Sequence, residues 1–326
     1  MRPKLPTPPA SFLLYGDTGA GKTLQSALFA KWVCKQTGGR FVDGKLVGGL
    51  RTRYYCSDNG GWRTIQPFID AGIIEVVDCR QLPHPFLWSS RIAQGQFPKV
   101  TGVNANGVPN GTWTTEGAEH IGCYIFDGLT GTSDLLLNDL ANKATEGVNI
   151  GGEGSYKFTD GGEKSTWGME VVGANNQSHY GAIQQRIIRQ IGFMNNLAER
   201  TDSFVIATAT ARRDQNDAMQ KVMGPQVAGK ALTAELPRLF TYTMHLVTEA
   251  NTTGEPEHKL YFCSHKDITA GNAIGLANRR IPLISAKSEA LKRMPSFISP
   301  ADMVGAYEMI LKAEADVLTE LMKDMS

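Results

Sequence analysis

The chain has 326 residues, 41% of them hydrophobic and 20% charged, a composition that argues against a disordered or fibrous polypeptide. Thirty-three basic against thirty-two acidic residues leave a net charge of +1, so no global field draws the protein to nucleic acid or membrane and any polyanion contact has to come from local patches. Five scattered cysteines (Cys34, Cys56, Cys79, Cys123, Cys263) form no CxxC pair and have no histidine at metal-ligand spacing; they read as reduced core thiols rather than as a disulfide or zinc framework. With no signal-peptide run and no segment of about 18 apolar residues, the expectation is a cytoplasmic protein without a membrane partner.

In chain order, the leader "MRPKLPTPPA" (residues 1–10), with four prolines, reads as an extended arm, either a disordered tail or one lying on a neighbouring subunit. "SFLLYG" is a short buried strand, and "KTLQSALFAKWVCKQ" after the glycines is a helix with Leu24, Ala27, Leu28 and Ala30 to Trp32 near helical spacing. "TRYYCSD" (52–58) is a second strand ending in a carboxylate, "GWRTIQPFIDAG" a helix stopped by Gly72, and "IIEVVDC" a third strand. Residues 80–120 break the rhythm and read as an inserted loop or hairpin. "HIGCYIFDGLT" (120–130) returns to a buried strand, and "TSDLLLNDLANKA" is a helix with Thr132 or Ser133 as its N-cap.

Residues 147–180, with eight glycines and little periodicity, form a second long insertion. "GAIQQRIIRQIGFMNNLAER" is amphipathic, with Ile183, Ile187, Ile188, Ile191 and Met194 on one face, and "SFVIATAT" is the next strand. A polar segment, "ARRDQNDAMQKVMGPQVAGK", leads to "FTYTMHLVTEA" and "HKLYFCSHK", an antiparallel hairpin around "NTTGEP". The closing "SPADMVGAYEMILKAEADVLTELMKDM" is a long helix over 298–325 capped by Ser299, whose Met303, Ala306, Met309 and Ile310 fit either packing on the core or a subunit contact. Strands alternating with helices predict an α/β core over 11–290: a mostly parallel sheet flanked by helices, an antiparallel hairpin at its C-terminal edge, and the C-terminal helix beyond.

"GDTGAGKT" (Gly16, Asp17, Thr18, Gly19, Ala20, Gly21, Lys22, Thr23) matches G-x-x-x-x-G-K-[ST], directly after a strand and opening a helix. Glycines let such a loop wrap until the backbone N–H groups of about Gly19 to Thr23 point inward at a phosphate, where the helix dipole adds to them. Lys22 would reach the β- and γ-phosphates and the Thr23 hydroxyl would coordinate Mg²⁺, so the cofactors implied are ATP and Mg²⁺. A second carboxylate should hold the metal from a strand end, and "CYIFD" supplies Asp127. Gly128 follows it, so the Asp-Glu pair of many ATPase motors is missing and a hydrolytic base has to come from elsewhere. Asp58, at the end of the second strand, is the candidate, against the alternative of a turn residue in "SDNGG".

With "GDTGAGKT", "YYCSDNGG", "CYIFDGLT" and "VMGPQVAGKALTAELPRLFTYTMHL", the chain resembles, over residues 10–285, RecA-fold P-loop NTPases, and more narrowly the RecA-like NTP-binding proteins of bacteriophages that include ATP-dependent single-strand annealing proteins. The resemblance implies that "SFVIATAT" lies between the two phosphate-motif strands and that Thr208 or Thr210 takes a sensor place where RecA itself carries a glutamine. It also implies ring or filament assembly, with a basic residue from a neighbour (Lys266, Arg279 and Arg280 are candidates) touching the γ-phosphate. Single-stranded DNA would meet the loops 147–180 and 211–230. The second loop carries Arg212, Arg213, Lys221 and Lys230 against Asp214 and Asp217; the first offers Tyr156, Phe158, Trp167 and Tyr180, either to stack bases or to pin the loop to its own domain. The competing expectation is a nucleotide-binding assembly or scaffold component of a phage particle or packaging complex with slow or no hydrolysis. A small-molecule kinase would need a lid with grouped arginines, which the sequence does not offer.

Overall fold

Residues 11–16 are buried at every position, as a strand covered on both faces must be, and the rest of the fold is arranged around them. In a computed structural model, residues 2–5, 7–58, 61–82, 85–103, 109–145, 177–215, 221–227, 230–262, 295 and 297–324 are described. The strands are β1 (Ser11–Gly16), β2 (Arg40–Val42), β3 (Lys45–Val47), β4 (Arg51–Cys56), β5 (Ile74–Asp78), β6 (Phe97–Val103), β7 (Pro109–Thr114), β8 (Ile121–Asp127), β9 (Phe204–Gln215), β10 (Lys221–Pro225), β11 (Tyr242–Ala250), β12 (Pro256–Tyr261) and β13 (Phe297–Ile298). The helices are α1 (Lys22–Gln36), α2 (Gln66–Asp70), α3 (Pro85–Ala93), α4 (Leu129–Thr145), α5 (Gln177–Thr201), α6 (Lys230–Glu235) and α7 (Met303–Asp324).

The main sheet runs β5-β4-β8-β9-β1-β11-β12-β13. Every pairing from β5 to β11 is parallel, and β12 and β13 add antiparallel strands at the C-terminal edge. This is the expected α/β arrangement, a mostly parallel sheet with an antiparallel C-terminal edge, and β9 lies between β1 and β8. Period-2 alternation sorts the side chains into two cores. Phe12, Leu14, Phe204 and Ile206 face α1 and α7, whereas Leu13, Tyr15, Val205 and Ala207 face α3, α4 and α5. Ile183, Ile187, Ile191 and Met194 are buried in the second core, as the helical spacing predicts, with Ile188 half-buried against it. No described helix is long and apolar enough to cross a membrane.

Several local expectations are corrected. The buried face of α1 is Gln25, Ser26, Ala27, Phe29, Ala30, Val33 and Cys34, while Leu24 and Leu28 point outward. Residues 80–120 hold the helix α3 as well as the hairpin β6–β7, because Trp88 and Ile92 supply a buried helical face. Helix α4 begins at Leu129, so Thr132 and Ser133 lie inside it and neither caps it; the Thr132 hydroxyl pairs with Ser57 at 2.8 Å. Ser299 does not cap the last helix either. It bonds to Glu257, and Asp302 accepts from the Val304 N–H at 3.0 Å. The described part of the leader lies on its own chain: Arg2 donates to the Ile121 carbonyl at 2.7 Å and the Asp202 carbonyl at 2.9 Å, and Thr7 pairs with the Tyr307 hydroxyl at 2.9 Å.

Helix α7 packs on the core, which settles the choice left open by its apolar spacing. Met303, Ala306, Tyr307 and Ile310 are buried, and the Tyr307 ring meets Phe12 edge-on at 5.2 Å. Cys34, Cys56, Cys79 and Cys123 are buried and without disulfides, as expected; Cys263 lies outside the described residues.

Candidate nucleotide-binding site

The parallel strands β1, β4, β8 and β9 end on one edge of the sheet, and the residues singled out in the sequence gather there. Gly21 holds φ +97°, a left-handed conformation that an L side chain resists, and from it the chain turns straight into α1. The loop Gly16–Thr23 therefore closes over the N-terminus of a helix of 15 residues, where unpaired backbone N–H groups and the dipole both favour an anion. Lys22 lies half-buried, its Nζ donating to the carbonyls of Gly16 and Asp17, each at 2.9 Å. Burial lowers its pKa, opposed by the negative charges of Asp127, Asp58 and Asp17.

Asp127, at the end of β8, is buried and accepts hydroxyls from three other elements. The Thr23 hydroxyl reaches Oδ2 at 3.0 Å; Tyr54 of β4 donates to the same oxygen and Thr208 of β9 to Oδ1. Register places them: Phe126 pairs with Ala207, which sets Asp127 beside Thr208, and Cys56 pairs with Asp127, which puts Tyr54 two residues back on the neighbouring strand. Of the two sensor candidates, Thr208 thus touches Asp127. Thr210 instead lines the cavity above it, its N–H donating to the Thr130 hydroxyl at 3.0 Å. Tyr54 was missed in the sequence. Inside "TRYYC" it reads as one more core aromatic, and no spacing rule tells its buried phenol from that of Tyr55, which bonds the Gln96 carbonyl.

Asp58 stands two residues past the end of β4, against the start of α4. A Cβ added at Gly131 would lie 2.3 Å from Asp58 Oδ1 and one at Gly128 2.8 Å from Oδ2, so both glycines make the space the carboxylate occupies. Burial, with Asp127 beside it, pushes its pKa up to about 6, against the pull of Lys22 and the Gly131 N–H.

These groups line a cavity of about 560 Å³ that runs from Asp58, Asp127 and Thr210 over Thr18 to Gln25 to His258, Pro300 and Ala301. A hydroxyl and a carboxylate converging beside the Gly16–Thr23 loop are the hard oxygen donors that suit Mg²⁺, so the donor set fits that ion. No cluster of three or more His, Cys, Asp or Glu that could hold a metal by itself occurs among the described residues.

Arg212 and Arg213 lie on β9 and Lys221 on β10, which pair as an antiparallel hairpin extending past the sheet; Lys230 opens α6. Arg212 is exposed, and so is Tyr180 on α5. Tyr156, Phe158, Trp167, Lys266, Arg279 and Arg280 lie outside the described residues.

Fold and site together define an α/β protein with a mostly parallel sheet, antiparallel strands at its C-terminal edge, and a glycine-rich loop leading from β1 into α1. No family model matches the chain, and no curated protein matches it. Among solved structures it is similar to a KaiC-like protein from the hyperthermophilic archaeon Pyrococcus horikoshii, with 11% identity, 77% of each chain covered and a TM-score of 0.37. It is also similar to the RadB recombinase, with 13% identity, 81% of this chain and 84% of that one covered, and a TM-score of 0.37. Both superpositions are loose.

Proposed function

We propose that the protein binds MgATP at the Gly16–Thr23 loop and hydrolyses it, and that it works on single-stranded DNA in recombination or annealing as a phage-type RecA-like ATPase. The observation that carries this reading is the convergence of Lys22, Thr23, Asp58 and Asp127 on one cavity at the C-terminal edge of the parallel strands, with the buried Thr208 bonded to Asp127. Thr23 and Asp127 would hold Mg²⁺, which when bound offsets charge on the phosphate oxygens. Lys22 exchanges its bonds to the Gly16 and Asp17 carbonyls for the β- and γ-phosphates. Asp58, across the cavity from the loop and poised near neutrality, orients the attacking water and takes its proton.

A physical connection supports the link to DNA. Thr130, on the first turn of α4, donates to the Gln226 carbonyl at 2.6 Å, and the Gln226 N–H donates to the Thr210 carbonyl at 2.6 Å. The base of the β9–β10 hairpin, which carries Arg212, Arg213 and Lys221, is thereby tied to a residue lining the nucleotide cavity. Steady-state ATP turnover with and without single-stranded DNA tests the reading. Stimulation severalfold that falls steeply with salt, and is lost when Arg212 and Arg213 are both replaced by alanine, is the expected result. Turnover indifferent to DNA would remove the DNA half of the proposal.

A second reading is a nucleotide-binding assembly or scaffold component with slow or no hydrolysis. Glycine rather than glutamate after Asp127 favours it. Mg²⁺-dependent binding without turnover, in a protein whose mass shows a ring or filament, would select it.

A further inference from the structure

The cavity over the phosphate loop has two ends. In the reading above, Asp58, Asp127 and Thr210 mark the γ-phosphate end, so the nucleoside of a bound triphosphate leaves toward the other end, past the exposed Leu24. That other end is lined by His258 of β12 and by Pro300 and Ala301, just before α7. Three hydrogen bonds fix it. The Ala301 N–H donates to the His258 carbonyl at 2.8 Å, Gln25 Nε2 donates to the Ala301 carbonyl at 2.7 Å, and Gln25 Oε1 accepts from the Met303 N–H at 2.9 Å.

Gln25 is one of two polar side chains on the buried face of α1, with Ser26, and it stands three residues after Lys22. Its amide spends both functions on the C-terminal segment, as a neighbouring strand would, and it satisfies one of the orphan N–H groups of the first turn of α7. Trp32 and Phe29 also meet the last helix, at Glu308 and Tyr307, but Gln25 is the contact between the two helices that lies at the cavity.

We propose that residues 299–303, the lead into the C-terminal helix, form the base-side wall of the nucleotide site, and that Gln25 couples nucleoside occupancy to the docking of α7. The inference rests on the nucleotide-binding reading and extends it to the end of the cavity that the phosphates do not reach. Leu24, Pro300 and Ala301 bring apolar groups to the lining and His258, its Nδ1 paired with the Thr248 hydroxyl, an imidazole, so the base is held by apolar contact and by the imidazole. By reciprocity, a bound nucleoside that favours the docked wall also stabilises the first turn of α7.

The test compares Mg-ATP with Mg-tripolyphosphate, which offers the phosphates without a nucleoside, by titration calorimetry on the full chain. Gln25→Ala, and independently His258→Ala, should weaken Mg-ATP about tenfold and leave tripolyphosphate within about twofold. His258 is an exposed residue, so its variant keeps the test open should Gln25→Ala fail to fold. In the wild type, Mg-ATP but not tripolyphosphate should slow amide hydrogen exchange at the start of α7. Parallel loss of both ligands in the variants, or exchange at α7 indifferent to bound ATP, would overturn the inference. If the wild type bound neither ligand, the nucleotide reading itself would fall first.

Discussion

Asp127 accepts hydroxyls from Thr23, Tyr54 and Thr208, and in the proposed role of positioning Mg²⁺ these neighbours would matter almost as much as the carboxylate itself. Tyr54→Phe removes one of those donors and little volume. It should raise the Mg²⁺ concentration for half-maximal turnover by roughly tenfold while the fold is kept, and an unchanged Mg²⁺ titration would show that the phenol is only packing. His245 offers a test of stability. It is buried with its ring stacked on Tyr15 at 4.5 Å, and burial, aided by Lys22 and opposed by Glu249, lowers its pKa from 6.5 to about 4. Between those values the unfolded chain binds the proton and the folded one does not, so its contribution is complete above about pH 6.5 and is lost as the pH falls toward 4. Asp58, raised from 3.8 to about 6, runs the other way: its contribution is present at low pH and lost as the pH rises through about 6. Comparing the wild type with His245→Phe isolates the histidine. Urea unfolding at pH 7 and pH 4.5 should show the wild type losing on the order of 3 kcal/mol more than the variant, and equal losses would contradict the assignment.

The elements place these side chains by close approach. Helix α4 can start at Leu129 and run past the end of β4 because position 131 has no side chain; a Cβ there would meet Asp58 Oδ1 at 2.3 Å and the Ser57 carbonyl at 2.8 Å. Gly131→Ala should therefore displace Asp58, cutting turnover at least tenfold while Mg-ATP still binds, and normal turnover in this variant would argue against Asp58 as the base. On the other face Phe29 of α1 packs at 5.2 Å on Phe12 and at 5.7 Å on Tyr307 of α7, so Phe29→Ala should cost about 3–5 kcal/mol in denaturant unfolding. Element existence was legible where the pattern is long and local: "SFLLYG" and "KTLQSALFAKWVCKQ" coincide with β1 and α1. Which face of α1 is buried was not, because Gln25 and Ser26 go inward to meet backbone groups while Leu24 and Leu28 go outward. Helix starts failed for a related reason: Ser299, Thr132 and Ser133 are good caps in isolation, but Gln25 and Asp302 at α7, and the close approach of Asp58 at α4, place those starts instead.

For the whole molecule, the alternation of strands and helices pointed to a parallel sheet, and the resemblance placed β9 between the two phosphate-motif strands, as the sheet order has it. The positions of the Gly16–Thr23 loop between β1 and α1 and of Asp127 at the end of β8 were legible because glycines at fixed spacing and a strand-end carboxylate are local signals. Tyr54, Gln25 and the wall at 299–303 were not, since each acts through a partner remote in sequence, such as Tyr54 on Asp127 and Gln25 on Ala301 and Met303. Calorimetric titration of purified protein with Mg-ATP is the direct test of the proposal that the edge where β1, β4, β8 and β9 end is a nucleoside triphosphate site. The expected result is one saturable binding event per chain, lost with EDTA and weakened at least about a hundredfold in Lys22→Ala with the fold intact by circular dichroism. No binding by the wild type, or equal binding by the Lys22→Ala variant, would contradict it.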